Sequence, residues 1–174
     1  MAGNRVGDST GGAPMTPLAV AARPATAGDL PDLLRLYRLL ETEMENLRGL
    51  WKEADGLPEP VEDALAEAVA DPDTLVYVGT ADDVTFGFIL GFSAPLLPQA
   101  AGQRMATIKL VFTEEEARGV GVGEAMRDTV VAELRAQGHR WFDAHVLPGH
   151  RLAKNFFEAG GFSARFIIMN HEDD

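Results

Sequence analysis

A cluster of glycines carries the strongest chemical signal in the sequence. Arg118 is followed by Gly119, Gly121 and Gly123, and the cluster lies between an apolar run and a helical pattern. At the start of a helix the first backbone N–H groups have no intrahelical acceptor, and the helix dipole is positive there. Glycines let a bulky anion reach these N–H groups, and Arg118 can add a planar fork of donors to the same anion. The spacing therefore predicts a pyrophosphate-binding segment.

Three other interpretations of this cluster must be weighed. A glycine-rich turn without a ligand stays open on these residues alone. The dinucleotide fingerprint G-x-G-x-x-G requires glycine where the chain has Glu124, and it belongs after the first strand of a domain. The phosphate loop of nucleotide hydrolases requires Gly-Lys-Ser or Gly-Lys-Thr, and neither follows here. Both nucleotide motifs are therefore excluded.

Two blocks of the sequence resemble the GNAT family of N-acetyltransferases. In the first block, Arg118, Gly121 and Gly123 match the family's acetyl-coenzyme A binding pattern Gln/Arg-x-x-Gly-x-Gly/Ala. The second block resembles the later pattern Asn-x-x-Ala-x-x-Phe-Tyr-Glu-x-x-Gly-Phe, and its matching residues are Ala153, Phe156, Glu158, Gly161 and Phe162. Residues 23–26 with Asp29 also resemble the family's first strand and turn, so the likeness covers nearly everything after residue 17.

The resemblance implies an enzyme that moves an acetyl group from acetyl-coenzyme A, used as a cosubstrate, to a primary amine of a small molecule or peptide by direct attack. It also implies that the fourth and fifth strands splay apart near Thr113 and Leu147 to admit the cofactor. Main-chain groups of the fourth strand would bind the pantetheine arm, and the glycine-cluster amides would hold the pyrophosphate. The implied cofactor-binding residues are Val111, Thr113, Arg118, Gly119, Val120, Gly121, Val122, Gly123 and His150.

Two positions depart from the family pattern in the second block. His150 stands where the family has an asparagine that often contacts the cofactor. Phe157 stands where many members have a tyrosine that protonates the departing thiolate. A phenyl ring has no proton to give, so the general acid is unassigned. The missing tyrosine motivates an alternative, a catalytically weak acyl-coenzyme A binding or regulatory domain.

Candidates for a catalytic base are weak. Glu41 and Glu45 share a helical face, and His145 lies on the predicted fifth core strand. The competing interpretations are solvated helix charges for the glutamates and a hydrogen-bonded structural role for the histidine. Trp51, between the first two predicted helices, either lines an acceptor pocket or packs in the core. The sequence thus assigns no base.

Apolar periodicity predicts the elements that position these groups. Runs of β-branched and aromatic residues predict strands at residues 18–23, 74–79, 84–93, 105–113, 141–147 and 162–169. Three- and four-residue spacing predicts helices at residues 30–44, 61–70, 119–138 and 150–159, with a loop at 49–60. This order predicts an α/β (α+β) domain with a mixed, mostly antiparallel central sheet flanked by helices.

Composition limits the class of protein. The chain has 174 residues, 46% of them hydrophobic, so we expect one domain over residues 18–174 behind a disordered tail at 1–17. The formal net charge of -12 argues against nucleic-acid and membrane partners. The absence of cysteine excludes disulfides, thiolate metal sites and an acyl-cysteine intermediate. We expect a cytoplasmic protein without a metal site, and the resemblance allows a homodimer.

Overall fold

The fold is built on one five-stranded sheet. The computed structural model describes residues 18–173, and the predicted tail at residues 1–17 lies outside them. The strands lie across the sheet in chain order, as β1 (Val20–Pro24), β2 (Thr74–Ala81), β3 (Val84–Pro95), β4 (Arg104–Thr113) and β5 (Trp141–Ala144). Neighbouring strands are antiparallel except β4 and β5, which are parallel. The predicted mixed, mostly antiparallel sheet is confirmed.

Helices cover both faces of the sheet. They are α1 (Leu30–Leu47), α2 (Trp51–Ala54), α3 (Val61–Ala70), α4 (Val122–Ala136) and α5 (Arg151–Ala159). Leu36 of α1 and Leu65 of α3 pack in one core with Phe88 of β3. Met126 of α4 packs in the other core with Ile89, because successive strand residues point to opposite faces of a sheet. Within residues 18–173, every helix is too short or too polar to span a bilayer.

The predicted last strand is wrong. Residues 163–173 make no backbone hydrogen bond to other main-chain groups of residues 18–173, and a strand requires such a partner. Four apolar side chains of this segment are between 71% and 87% exposed, namely those of Phe166, Ile167, Ile168 and Met169. Arg165 of this segment forms a salt bridge with Asp143 of β5. The apolar pattern therefore identified a strand-forming sequence but not a pairing partner.

Three other features differ from the prediction. The strand predicted to continue to residue 147 ends at Ala144, because the chain beyond it diverges from β4. The predicted loop at residues 49–60 contains the short helix α2. The helix predicted to begin near Gly119 begins at Val122, since Gly119 and Gly121 have left-handed backbone conformations that a right-handed helix cannot contain.

The turn between β1 and α1 is held by Asp29. Its carboxylate accepts two hydrogen bonds from the Arg23 guanidinium, each 2.8 Å long, and one of 2.7 Å from the Thr26 N–H. The Arg23 hydrogen bond, supported by Thr26, holds the pKa of Asp29 well below its usual range even though burial opposes this. The first turn of α1 is thereby joined to the edge of the sheet.

Asp29→Asn should destabilise the fold at neutral pH but not in strong acid. A carboxyl group whose folded pKa lies below its unfolded pKa of about 3.9 stabilises the fold above that pH, and this contribution is lost as the pH falls through the folded pKa. We expect the variant to lose roughly 1 to 2 kcal/mol of unfolding free energy at pH 7, measured by urea denaturation. The deficit should shrink below about pH 4. An equal deficit at pH 7 and pH 2 would contradict this account, and Asp32→Asn on the exposed side of α1 is the control.

Candidate functional site

β4 and β5 separate near the middle of β4. Their pairing ends at Ile108 and Ala144, and one further hydrogen bond of 2.9 Å joins the His145 N–H to the Ile108 carbonyl. Beyond this point β4 continues to Thr113 while paired with β3 alone. A strand edge without a partner offers donors and acceptors to an extended chain that carries amides. The sheet therefore has an internal opening with one free edge.

A β-bulge in β4 lies where the opening begins. Leu90 of β3 pairs with Leu110, and the next residue, Gly91, pairs with Ile108. Lys109, between them, has no Cα partner on β3 and none on β5. Bulges are over-represented beside active sites, where they redirect side chains. No sequence pattern identified Lys109, although a glycine inside a predicted strand is a weak signal for a bulge.

The glycine cluster forms the turn before α4. Gly119 and Gly121 have φ angles of 82° and 98°, and Gly121 is the N-cap residue of α4. Each N–H from residue 119 to residue 124 lacks an acceptor within residues 18–173, whereas the Ala125 N–H donates to the Gly121 carbonyl at 2.9 Å. A Cβ at either Gly119 or Gly121 would meet no atom within 4 Å. The turn thus presents free donors to open space at the positive end of a helix.

The Arg118 side chain is turned toward α1. Its Nε donates to the Thr113 carbonyl at 2.8 Å, and its Nη2 lies 2.5 Å from a carboxylate oxygen of Glu43. The other carboxylate oxygen of Glu43 lies 3.4 Å from Nε2 of His150. Glu43 therefore joins the turn before α4 to the residue before α5. Sequence inspection missed Glu43, because nothing distinguishes it from the other acidic residues of α1.

Two cavities border α1 at this point, and Glu43 and Asn46 line both. The first has a volume of about 390 Å³ and is also lined by Leu47, Gly149, His150, Arg151 and Leu152. The second has a volume of about 460 Å³ and is also lined by Leu39, Thr42, Phe112, Glu114, Glu115, Glu116 and Arg118. Both volumes lie in the range of small-ligand sites. Arg118 and His150, predicted from separate blocks, are brought to the two sides of one carboxylate.

The other predicted cofactor-binding residues lie along the same stretch of chain. Val111 packs toward the core under α4, and Thr113 ends β4. Val120 is half-exposed in the turn, whereas the side chain of Val122 is fully buried. Val122 can therefore offer a ligand only its main chain.

The three weak base candidates do not form a cluster. Glu41 is buried and pairs with Arg38 at 2.8 Å and with Lys52 at 3.4 Å. Glu45 lies 3.8 Å from the same lysine. The ring of His145 is exposed and has no hydrogen-bond partner within the described part of the chain. The carboxylate of Glu41 is therefore occupied by two ion pairs inside the fold.

Two aromatic residues are buried by packing. Phe157, at the position of the family's tyrosine, is 3% exposed, and its ring lies 4.9 Å from that of Phe156 and 5.3 Å from that of Phe162. Trp51 is 4% exposed, and its ring lies 6.3 Å from that of Tyr37. Of the two interpretations of Trp51, packing in the core is therefore correct.

These features define the class of protein. A mixed sheet that opens between two parallel strands, next to a helix that begins with free amides, is the architecture of an N-acetyltransferase. The chain belongs to the acetyltransferase (GNAT) family, whose model matches residues 33–162. A comparison with curated protein sequences gives no match.

Solved structures share the fold at low sequence identity. A transcriptional regulator from Bacillus halodurans C-125 is 23% identical, with a TM-score of 0.71 over 89% of this chain and 100% of that one. The ribosomal-protein-alanine N-acetyltransferase from Brucella melitensis biovar Abortus 2308 is 14% identical, with a TM-score of 0.67 over 89% and 99% of the two chains. AAC(6')-Iy, in complex with the bisubstrate analogue CoA-S-monomethyl-acetylneamine, is 17% identical, with a TM-score of 0.64 over 90% and 99%.

Proposed function

We propose that this enzyme transfers an acetyl group from acetyl-coenzyme A to a primary amine of a small molecule or peptide. The observation that carries the proposal is the series of N–H groups at residues 119–124, at the start of α4, which have no acceptor in the part of the chain that the structure describes. A pyrophosphate needs such donors, and an extended amide-bearing arm needs a free strand edge. The edge of β4 leads directly into this turn, and the coenzyme A analogue bound by AAC(6')-Iy supports the same ligand here.

Different residues bind different parts of acetyl-coenzyme A. The amides of residues 119–124 hold the pyrophosphate, and Arg118 contributes a positive charge after leaving Glu43. Main-chain groups of Val111 and Thr113 bind the pantetheine arm, and His150 borders it from the start of α5. When bound, the cofactor supplies an acetyl thioester.

Direct attack makes three demands on the protein. The amine must be neutral, donors must stabilise the negative charge that develops on the thioester oxygen, and an acid must protonate the departing sulfur. Main-chain N–H groups at the opening of the sheet are the candidates for stabilising the negative charge on the thioester oxygen. No covalent enzyme intermediate is required, in agreement with a chain that has no cysteine.

A thermal shift experiment tests the proposal. A ligand that binds only the folded state at about 100 times its Kd adds roughly 2.7 kcal/mol of stability, so millimolar acetyl-coenzyme A should raise the Tm by several degrees. Pantetheine is the matched control ligand, because it has the arm but not the pyrophosphate, and it should stabilise the protein far less. No shift with acetyl-coenzyme A would exclude the proposed cofactor.

A second candidate function is a catalytically weak acyl-coenzyme A binding or regulatory domain. The observation that favours it is Phe157, which has no proton to donate to the sulfur. If acetyl transfer is slow only for want of this acid, Phe157→Tyr should raise kcat by roughly 10-fold or more with little change in acetyl-coenzyme A affinity. Phe162→Tyr adds the same hydroxyl to a ring that packs against Phe157 and is the control. Cofactor binding without turnover of any amine, in both the parent and Phe157→Tyr, would favour the binding domain.

Glu43→Gln should tighten acetyl-coenzyme A binding. The Glu43 carboxylate competes with a pyrophosphate for Arg118, and the glutamine removes this competition together with a nearby negative charge. Both side chains of the pair are about one-third exposed, at 33% and 30%, so we expect only a roughly 2- to 5-fold decrease in Kd by calorimetry. Glu45→Gln, on the same helix but facing Lys52, should leave the Kd unchanged. Weaker binding by Glu43→Gln would mean that Glu43 instead positions Arg118 for the ligand.

A further inference from the structure

Lys109 differs from the other lysines of the chain in having no carboxylate partner within residues 18–173. The sequence contains three lysines, and the other two, Lys52 and Lys154, form salt bridges with glutamates. Lys109 forms none with any carboxylate of residues 18–173, and its Nζ donates a single hydrogen bond of 3.3 Å to the Gly56 carbonyl. An ammonium group has three donors, and one of them is used by this hydrogen bond within residues 18–173. A half-buried cation with no carboxylate partner among residues 18–173 is available to an anion.

The bulge places this ammonium beside the opening of the sheet. Lys109 is the first residue of β4 beyond the last pair with β5, and its side chain reaches the loop between α2 and α3 at Gly56. That loop is anchored, because the Leu57 N–H donates to the Tyr37 hydroxyl at 2.7 Å. A Cβ at Gly56 would lie 2.7 Å from the Lys52 carbonyl, so the loop also packs closely on α2. The Nζ of Lys109 is therefore held on the α1 face of the sheet.

This face is the side from which an acceptor has to come. A cofactor held by the amides of residues 119–124 would occupy the end of β4 and the start of α4, which follow one another in the chain. An amine that attacks the thioester directly must approach from a direction that the cofactor does not fill. The approach that remains is over the face of the sheet covered by α1 and the loop between α2 and α3. Lys109 lies on this face.

A second cation borders the opening on its β5 side. Arg48, which follows the last residue of α1, donates at 3.2 Å to the carbonyl of Pro148 in the segment after β5. Its other acceptor is the Leu47 carbonyl, and it forms no salt bridge within the described part of the chain. Positive charge thus lies on two sides of the acceptor approach.

We propose that Lys109 binds a carboxylate of the acceptor, so that the substrate carries a carboxylate as well as a primary amine, as an amino acid does. This inference rests on the proposed acetyl transfer and adds the substrate class. A charge-assisted hydrogen bond from a partly buried ammonium favours a carboxylate over a neutral amide. The same charge repels polycationic amines, so spermidine should be a poor acceptor.

Matched acceptors test the inference. Rates of acetylation are measured for amino acids and for the corresponding amino-acid amides, and are corrected for the fraction of neutral amine. For the amino acid that reacts fastest, we expect the parent protein to have a kcat/KM roughly 10- to 100-fold higher than for the corresponding amide. Lys109→Met should bring this ratio close to 1, mainly by raising the KM for the acid. Lys109→Arg should keep the preference, and Lys154→Met, which removes a lysine on exposed α5, should leave it unchanged.

Several outcomes would overturn the inference. These are an unchanged ratio in a folded Lys109→Met, faster turnover of amides or spermidine by the parent, or no turnover of any amino acid by a protein that binds acetyl-coenzyme A. If Lys109→Met does not fold, Lys109→Gln takes its place in the test. The inference then requires that Lys109→Gln loses the preference for the acid while acetyl-coenzyme A still raises its Tm as in the parent protein. A parent protein that acetyl-coenzyme A does not stabilise would instead refute the proposed function, so the two failures are distinguishable.

Discussion

Gly121→Glu should abolish stabilisation by acetyl-coenzyme A, whereas Gly121→Ala should retain most of it. Both variants place a side chain at a φ of 98°, so both should lower stability by about 1 kcal/mol. Only glutamate adds a methylene group and a carboxylate beyond Cβ to the space in front of the N–H groups of residues 119–124. A pyrophosphate would then lose several charge-assisted hydrogen bonds, each worth about 1.5 to 3 kcal/mol. We therefore expect the Kd to rise by roughly 100-fold or more.

Calorimetry with acetyl-coenzyme A on both variants separates backbone strain from blockage of the site. The alanine variant reports the strain alone, because a Cβ at this position meets no atom within 4 Å. Equal weakening by alanine and glutamate would mean that the conformation of the turn, rather than the space in front of it, controls binding. If Gly121→Glu binds acetyl-coenzyme A as tightly as the parent protein, residues 119–124 do not form part of the binding site.

Gly91→Ala should be strongly destabilising and should also impair acetyl transfer. A Cβ at Gly91 would lie 2.3 Å from the Thr107 carbonyl oxygen and 3.2 Å from the Cα of Ile108, both in the backbone of β4. A backbone atom cannot move aside as a flexible side chain can, so β3 and β4 would have to separate at the bulge. We expect a loss of about 3 kcal/mol or more in unfolding free energy, with displacement of Lys109.

Urea denaturation and acetylation rates should be compared with those of Gly49→Ala. A Cβ at Gly49 meets no atom within 4 Å, so this control carries only the ordinary effect of replacing glycine on the unfolded chain. A loss of stability in Gly91→Ala no greater than in Gly49→Ala would show that the sheet accommodates the methyl group. Full activity in a destabilised Gly91→Ala would show that acetyl transfer does not depend on the bulge.

Much of the fold follows from local sequence patterns. The alternation through Phe88 and Ile89 places these residues in opposite cores, and three- and four-residue spacing identified the apolar faces of α1 and α4. The predictions failed where the structure depends on which strands pair with one another. Phe166 and Ile167 belong to an apolar run typical of a strand, yet no described strand pairs with it.

The sequence by itself determined that a glycine cluster precedes the buried face of α4 and that Phe157 supplies no acid. The backbone freedom of glycine and the lack of a proton on a phenyl ring are properties of single residues, so they can be recognised without any tertiary contact. Only the tertiary structure decided the roles of Glu43 and Lys109. Glu43 touches Arg118 and His150, which are distant from it in the chain, and Lys109 is brought to the opening by the register shift between β3 and β4. Such contacts depend on the register and packing of whole elements, which local periodicity does not encode.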